Sequence, residues 1–505
     1  MAITDPSQAG DYVILESEVF DQSPETAEDD PTIDRFIGFV TVLAVVVYAI
    51  TIGIRSMTES FRMDELLTGW IISDSFADSI SRSQTHQGQS PLYFAGLWLW
   101  KAVFGASEFV LRIPSLFAHF ATAWLINRLG TKLLNRRAGA IGALILLGMN
   151  VQAVQARPYS FMVLGVVVSA YFAVAWSEEP TTMRSLRWAV AAAFVLYMHP
   201  LGIWSVAPQA WFLVSGWRAS AKTRQVVVFV CASVVLSLPL VPQVLSLRAR
   251  QGTLVIVDLP SITDLIAAIF WLPVALALVV AAVAWVRTAD TREPSSDPFP
   301  WFVVLWAIVP ALALFAQSHL TGDSFFVNRY MAGALPGIGL AVGALLTRFK
   351  AAHYLKFSLL AFLVGLLLTP QAVPAPDYGP AITVIDESPD ALVLTMTAFI
   401  ELANAEAFPP VGDTNEYFNG PLRWYGVTEP LVSIPRDDSE MDLRNIEASV
   451  EPAISTNRPV VLIDFAWGDR RPGPLYAQQL LLDAGYAIDT IEQTNFVTAQ
   501  RLVPR

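Results

Sequence analysis

Long apolar runs follow one another from residue 36 to residue 370, and they dictate what this chain can become. A transmembrane helix needs about 20 mostly apolar residues. Runs of that kind recur at 36–54, 109–128, 138–154, 158–176, 225–243, 262–286, 300–317, 330–347 and 354–370. The stretch 186–217 has room for two spans broken near His199-Pro200, which brings the expected total to about eleven. Charged residues are only 15% of the chain and hydrophobic ones 54%, whereas soluble domains carry about 25% charged. The expected fold class is a polytopic α-helical membrane protein. The run 91–104 is apolar but only about fourteen residues long, a length that favours a helix lying along the membrane interface.

The net charge of −12 is unevenly placed. Residues 1–35 hold ten acids and one base, Arg35, and residues 371–505 hold twenty acids, eight arginines and no lysine. Between them lie fourteen acids and twenty-three bases. No basic segment leads into an apolar run at the start, so no cleavable signal peptide is expected, and 1–35 reads as an acidic disordered tail. The single cysteine, Cys231, excludes an internal disulfide. If 91–104 does not cross, one side receives the basic loops 128–137, 177–187, 216–224, 286–299 and 348–356, and the positive-inside rule places that side in the cytoplasm. Arg55 and Arg62 disagree, since they follow the first span on the opposite side. The expected organisation is a cytoplasmic tail (1–35), a membrane domain (36–370) with a first outer loop at 55–108, and an extracytoplasmic domain (371–505). The last reads as α/β, because Val460-Val461-Leu462-Ile463 is a buried-strand pattern and a helical stretch at 475–484 ends at Gly485. There is no internal repeat, P-loop, dinucleotide-binding glycine motif or zinc-ligand spacing, and no footing for nucleic acid.

Polar groups able to do chemistry all fall on the expected outer face. Asp64-Glu65 lie in the first loop, and His86, Gln87 and Gln89 precede Pro91-Leu92-Tyr93. Gln155-Ala156-Arg157-Pro158-Tyr159 opens one span, His199 interrupts another, and Asn328-Arg329-Tyr330 opens a third. A carboxylate can take a proton from an attacking hydroxyl, and arginines near helix starts suit phosphate. Together they fit a reaction whose leaving group is a lipid-linked phosphate. Taken singly, each has a plainer alternative: a solvated acid pair, arginines anchored at headgroups, a histidine that satisfies a helix break.

The order of these elements carries more. A first apolar span, then Asp64-Glu65, then "SPLYFAGLWLWKAVFGASEFVLRIPSLF", then "QARPYSFMVL" resembles the GT-C superfamily of polyprenol-phosphate-sugar glycosyltransferases, most of all the glycosyltransferase 39 group related to protein O-mannosyltransferases. The resemblance covers about residues 55–175 and continues weakly through "YMHPLGIW" and "NRYMAGALP". It implies a GT-C-like membrane domain in the plasma membrane that moves a hexosyl or pentosyl unit from a polyprenyl-monophosphate donor to an extracytoplasmic protein, glycan or lipid. It assigns catalysis to Asp64, with Glu65 beside it, and the donor phosphate to Arg157, Tyr159, Arg329 and Tyr330. Substrate contacts fall to His86, Gln89, Tyr93 and His199. Two positions depart from the family pattern: Gln155 stands where relatives carry an acid, and Gln89-Ser90-Pro91 where they carry His-Pro-Pro. Without the second-loop acid a divalent metal finds no support, because a lone carboxylate pair makes a poor octahedral site. A lipid-sugar flippase, or a binding relative without activity, is the alternative reading.

Overall fold

The structure is a computed structural model that describes residues 31–87, 91–149, 155–215, 220–249, 258–287, 301–347, 360, 375–396, 399, 405–406, 408–465, 471–494 and 496–505. The first helix, α1 (Pro31–Thr58), begins five residues earlier than expected. Proline at the first helical position has its φ already set for a helix and loses no hydrogen bond there. Its outward side chains, among them Val42, Val46, Val47 and Ile50, are apolar and exposed, as lipid contact requires.

The first loop folds into α2 (Met63–Ile71), α3 (Phe76–Arg82) and α4 (Pro91–Phe104). Helix α4 spans the fourteen residues expected of the interfacial segment. It buries Tyr93, Phe94 and Leu97 and leaves Leu92, Leu99 and Val103 exposed at helical spacing, an apolar stripe of the kind an interfacial helix lays on lipid. Trp98 Nε1 donates to the Asp74 carbonyl at 2.8 Å and Lys101 to the Ile72 and Ser73 carbonyls, tying α4 to the end of α2.

Helices α5 (Glu108–Leu133) and α6 (Arg136–Met149) form a hairpin, and α7 (Tyr159–Glu178) and α8 (Thr182–Met198) form a second. Beyond α8 the chain breaks at His199 into short helical turns up to Ser215, as its proline suggested. Then come α9 (Ser220–Ser237), α10 (Val241–Ala249), α11 (Ile262–Ile269), α12 (Leu272–Arg287), α13 (Trp301–Thr321) and α14 (Leu335–Leu346). The single span expected at 262–286 is two helices. Proline has no N–H to give to the preceding turn, so Pro273 interrupts the helical hydrogen bonding between Ile269 and Leu272. Likewise the segment expected at 330–347 opens with 3-10 turns, and only Leu335–Leu346 is α-helical. Among the described residues, five helices are long and apolar enough to cross a membrane: Arg35–Thr58, Glu108–Leu133, Tyr159–Glu178, Lys222–Arg248 and Trp301–Thr321. The expected span at 354–370 lies outside the described residues.

The C-terminal domain is α/β, as expected. Its strands are β1 (Leu392–Met396), β2 (Leu431–Ser433), β3 (Val460–Phe465), β4 (Tyr486–Gln493) and β5 (Val497–Pro504), in the order β2-β1-β3-β5-β4. Strands β2, β1 and β3 run parallel, while β5 is antiparallel to β3 and to β4. Helices α15 (Gly379–Asp386) and α16 (Gly412–Trp424) cover one face, and α17 (Glu440–Thr456) and α18 (Pro472–Asp483) the other. Both faces of β3 are buried: Val460 and Leu462 meet α17 and α18, whereas Val461 and Ile463 join the α16 side. That is why its sequence reads as a continuous apolar run. Gly485, at φ +89°, closes the chain beyond α18, where it was expected to end the helix.

Candidate active site

Adjacent residues on a helix point about 100° apart, and this separates the fates of Asp64 and Glu65 at the start of α2. Glu65 turns inward and is buried. Its carboxylate reaches back to accept from the Arg62 N–H at 3.1 Å, the reciprocal half of a capping box. Arg112 of α5 grips it with a two-pronged contact, Nε to Oε1 at 2.8 Å and Nη2 to Oε2 at 2.9 Å. The Ala156 N–H donates to Oε1 at 2.8 Å. Arg112, equally buried, also donates to the carbonyls of Ser56 (3.1 Å), Glu59 (2.7 Å) and Ser60 (3.0 Å). One ion pair thereby fastens the α1–α2 connection, α5 and the turn at 155–157 to one another.

Asp64 keeps some access to solvent, with 30% of its side chain exposed. Oδ2 accepts from Arg329 Nη1 at 2.9 Å, and the Asp64 carbonyl accepts from Arg157 Nη1 at 3.0 Å. Burial pushes the Asp64 carboxyl up, but Arg329, Arg157 and Arg62 outweigh it and hold it below the ordinary aspartate range. Arg157 is buried, whereas 27% of the Arg329 side chain is exposed. The Arg329 Nε is buried and has no acceptor among the described residues. A buried donor left over is a place where an acceptor from outside the chain can fit.

Three rings wall this acid–arginine cluster. His199 lies 4.7 Å from Tyr330 and 5.7 Å from Tyr159, and the two tyrosines are 6.4 Å apart, centre to centre. His199 Nδ1 accepts from the Leu201 N–H at 3.3 Å, which leaves the ring proton on Nε2. Burial, with Arg329 and Arg157 nearby, pushes this histidine down to about 3, so it is neutral at physiological pH.

Residues far apart in sequence thus meet here: Asp64, Glu65, Arg157, Tyr159, His199, Arg329 and Tyr330. Tyr93 is buried and meets Phe161 of α7 edge-on at 5.8 Å. His86 belongs to the short π-helical turn Ser83–Gln87, and Gln89 lies outside the described residues. Gln155 is buried, and its Oε1 has no hydrogen-bond partner among the described residues; its backbone carbonyl accepts from the Arg157 N–H at 2.8 Å. With every Glu65 oxygen engaged and Asp64 paired to Arg329, the two carboxylates do not converge on a common point. Arg112 was not singled out from the sequence, although an arginine inside an apolar run is itself a signal.

The C-terminal domain seats directly on the helix that carries Asp64. Trp424 stacks on Phe61 at 5.2 Å, and Tyr417 meets Trp70 edge-on at 5.2 Å. A Cβ added to Gly69 would lie 2.6 Å from the Trp424 ring, so only glycine lets the indole come this close. The Tyr425 hydroxyl donates to Glu108 at 2.9 Å and accepts from the Phe61 N–H at 3.2 Å.

No protein-family model matches the sequence, and no curated protein does. Among solved structures, ArnT from Cupriavidus metallidurans in the apo state superposes with a TM-score of 0.56 at 13% identity, covering 92% of this chain and 98% of that one. The same protein bound to undecaprenyl phosphate gives a TM-score of 0.52 at 13% identity over the same shares. At such identity the likeness is one of fold alone.

Proposed function

We propose that this GT-C-fold chain is a membrane glycosyltransferase that moves a sugar from a polyprenyl-monophosphate donor to an extracytoplasmic hydroxyl. The observation that carries this reading is the Asp64–Arg329 pair at 2.9 Å, with Arg157 on the same aspartate's carbonyl and a spare Arg329 donor beside it. An acid able to accept a proton and two arginines able to hold a phosphate are what the transfer needs at one point. The fold likeness to a protein solved with undecaprenyl phosphate supports a donor of the same lipid-phosphate class.

In the transfer, Asp64 accepts the proton of the acceptor hydroxyl as its oxygen bonds to the anomeric carbon. The bond from that carbon to the phosphate oxygen breaks, and its electron pair leaves with the polyprenyl phosphate. A single displacement of this kind inverts the anomeric centre. Arg157 and Arg329 neutralise the departing phosphate, a charge-stabilising role. Before the donor arrives, Arg329 keeps Asp64 ionised. When phosphate takes over the guanidinium, Asp64 loses its counter-charge in a half-buried setting and becomes the stronger base. Tyr159, Tyr330 and neutral His199 wall the site, and the Nε2–H of His199 serves as a hydrogen-bond donor rather than a cation. Glu65 acts through Arg112 and Ala156 to position the helix start on which Asp64 stands. The basic loops orient the N-terminus and those loops to the cytoplasm and the C-terminal domain to the outside.

The test is transfer from a radiolabelled lipid-linked sugar in membranes. Asp64→Asn is expected to cost about 100-fold or more, the range for losing a positioned general base. Near wild-type turnover would remove Asp64 from the chemistry. Translocation of the lipid-linked sugar across liposomes without transfer would favour a flippase.

A further inference from the structure

A cleft of about 460 Å³ lies between α7 and α8, away from Asp64. It runs from mid-helix toward the start of α8, walled by Leu164, Val168 and Phe172 on one side and Val190 and Phe194 on the other. Its rim is exposed at Met183, Leu186 and Val190, so it opens outward from the bundle. Its one charged lining residue is Arg187, eleven residues before Met198 at the end of α8, roughly 16 Å along the axis. The neighbouring bases are spoken for: Lys132 pairs with Glu178 at 2.7 Å and Arg184 with Glu179 at 2.6 Å. Arg187 has no carboxylate partner among the described residues.

An apolar trough with one unneutralised guanidinium at its mouth has the chemistry of a lipid site, a chain below and an anion above. We propose that the cleft holds one anionic phospholipid, its acyl chain along Leu164, Val168 and Phe172 and its phosphate on Arg187. Charge decides the occupant. A zwitterionic lipid brings its own ammonium to compete for the phosphate, whereas an anionic lipid leaves the guanidinium as the nearest cation. Basic sites of this kind between transmembrane helices favour anionic headgroups. In the orientation proposed above, the lipid belongs to the inner leaflet.

Native mass spectrometry of the full chain in detergent, titrated with phosphatidylglycerol, phosphatidylethanolamine or undecaprenyl phosphate, tests this. The wild type should retain one phosphatidylglycerol in preference to phosphatidylethanolamine. Arg187→Gln should weaken phosphatidylglycerol about fivefold, the worth of one surface arginine against an anionic lipid. Val190→Trp, at an exposed rim position, should displace it by filling the trough. Undecaprenyl phosphate binding should be unchanged in both. Equal retention of phosphatidylglycerol by all three proteins, no headgroup preference in the wild type, or loss of undecaprenyl phosphate in its place would each overturn the proposal. No transfer activity is read, so this outcome is independent of the glycosyltransferase reading.

Discussion

Asp64 and Glu65 are neighbours of the same chemistry given opposite work by about 100° of helix rotation. Arg329 is the strongest cation acting on Asp64, so Arg329→Gln should let burial raise the carboxyl. The acid limb of the pH–rate profile should then move to higher pH, because more of the base is protonated at any given acidity. An unmoved limb would show that the group titrating in the profile is not Asp64. For Glu65 the expected loss is structural. Glu65→Gln leaves the Arg112 charge buried without its partner, which costs about 3–5 kcal/mol. Thermal unfolding in detergent should show a clear fall in Tm for Glu65→Gln, whereas Asp64→Asn, at a half-exposed site, should stay close to wild type. Arg112 itself was readable in principle, as a charge inside a span. Its partner was not, because nothing in a sequence says which of two adjacent carboxylates turns inward.

At the level of elements, α2 is the joint of the molecule. It presents Asp64 at its first turn and takes the C-terminal domain on its flank through Gly69 and Trp70. Truncating Trp424 to alanine removes the stack on Phe61 and the contact over Gly69. Trp424→Ala should therefore speed cleavage of the C-terminal domain in limited proteolysis and lower transfer, even though the residue touches no group of the Asp64 cluster. Transfer and proteolysis rates both at wild-type levels would show that the domain's seat does not matter to the site. The bounds of α4 were legible because an apolar run of fourteen residues is too short to span and too apolar for a solvated loop. The break at Pro273 is the converse case. Hydropathy averages over a window and registers no lost hydrogen bond, so 262–286 looked continuous.

On the whole-molecule scale the basic loops and the Asp64 cluster lie toward opposite ends of α7 and α8. Orientation is open to a direct measurement. In a Cys231→Ser background, Asp438→Cys in the C-terminal domain should react with a membrane-impermeant maleimide in intact cells. Arg187→Cys should react only after the cells are opened. The reverse pattern would invert the proposed topology.

By itself the sequence determined that this chain lives in a bilayer, that about its last quarter is an α/β domain, and that most of its acids and arginines lie in the segments between apolar runs. These are properties of composition and local period, which water and lipid enforce on each segment separately. Tertiary structure alone decided that Arg329, 265 residues from Asp64, closes on its carboxylate, that Glu65 is consumed by Arg112, and that Trp424 leans on Gly69. Each of those contacts is fixed by how helices pack across the whole fold, and packing between distant segments leaves no periodic trace in either of them.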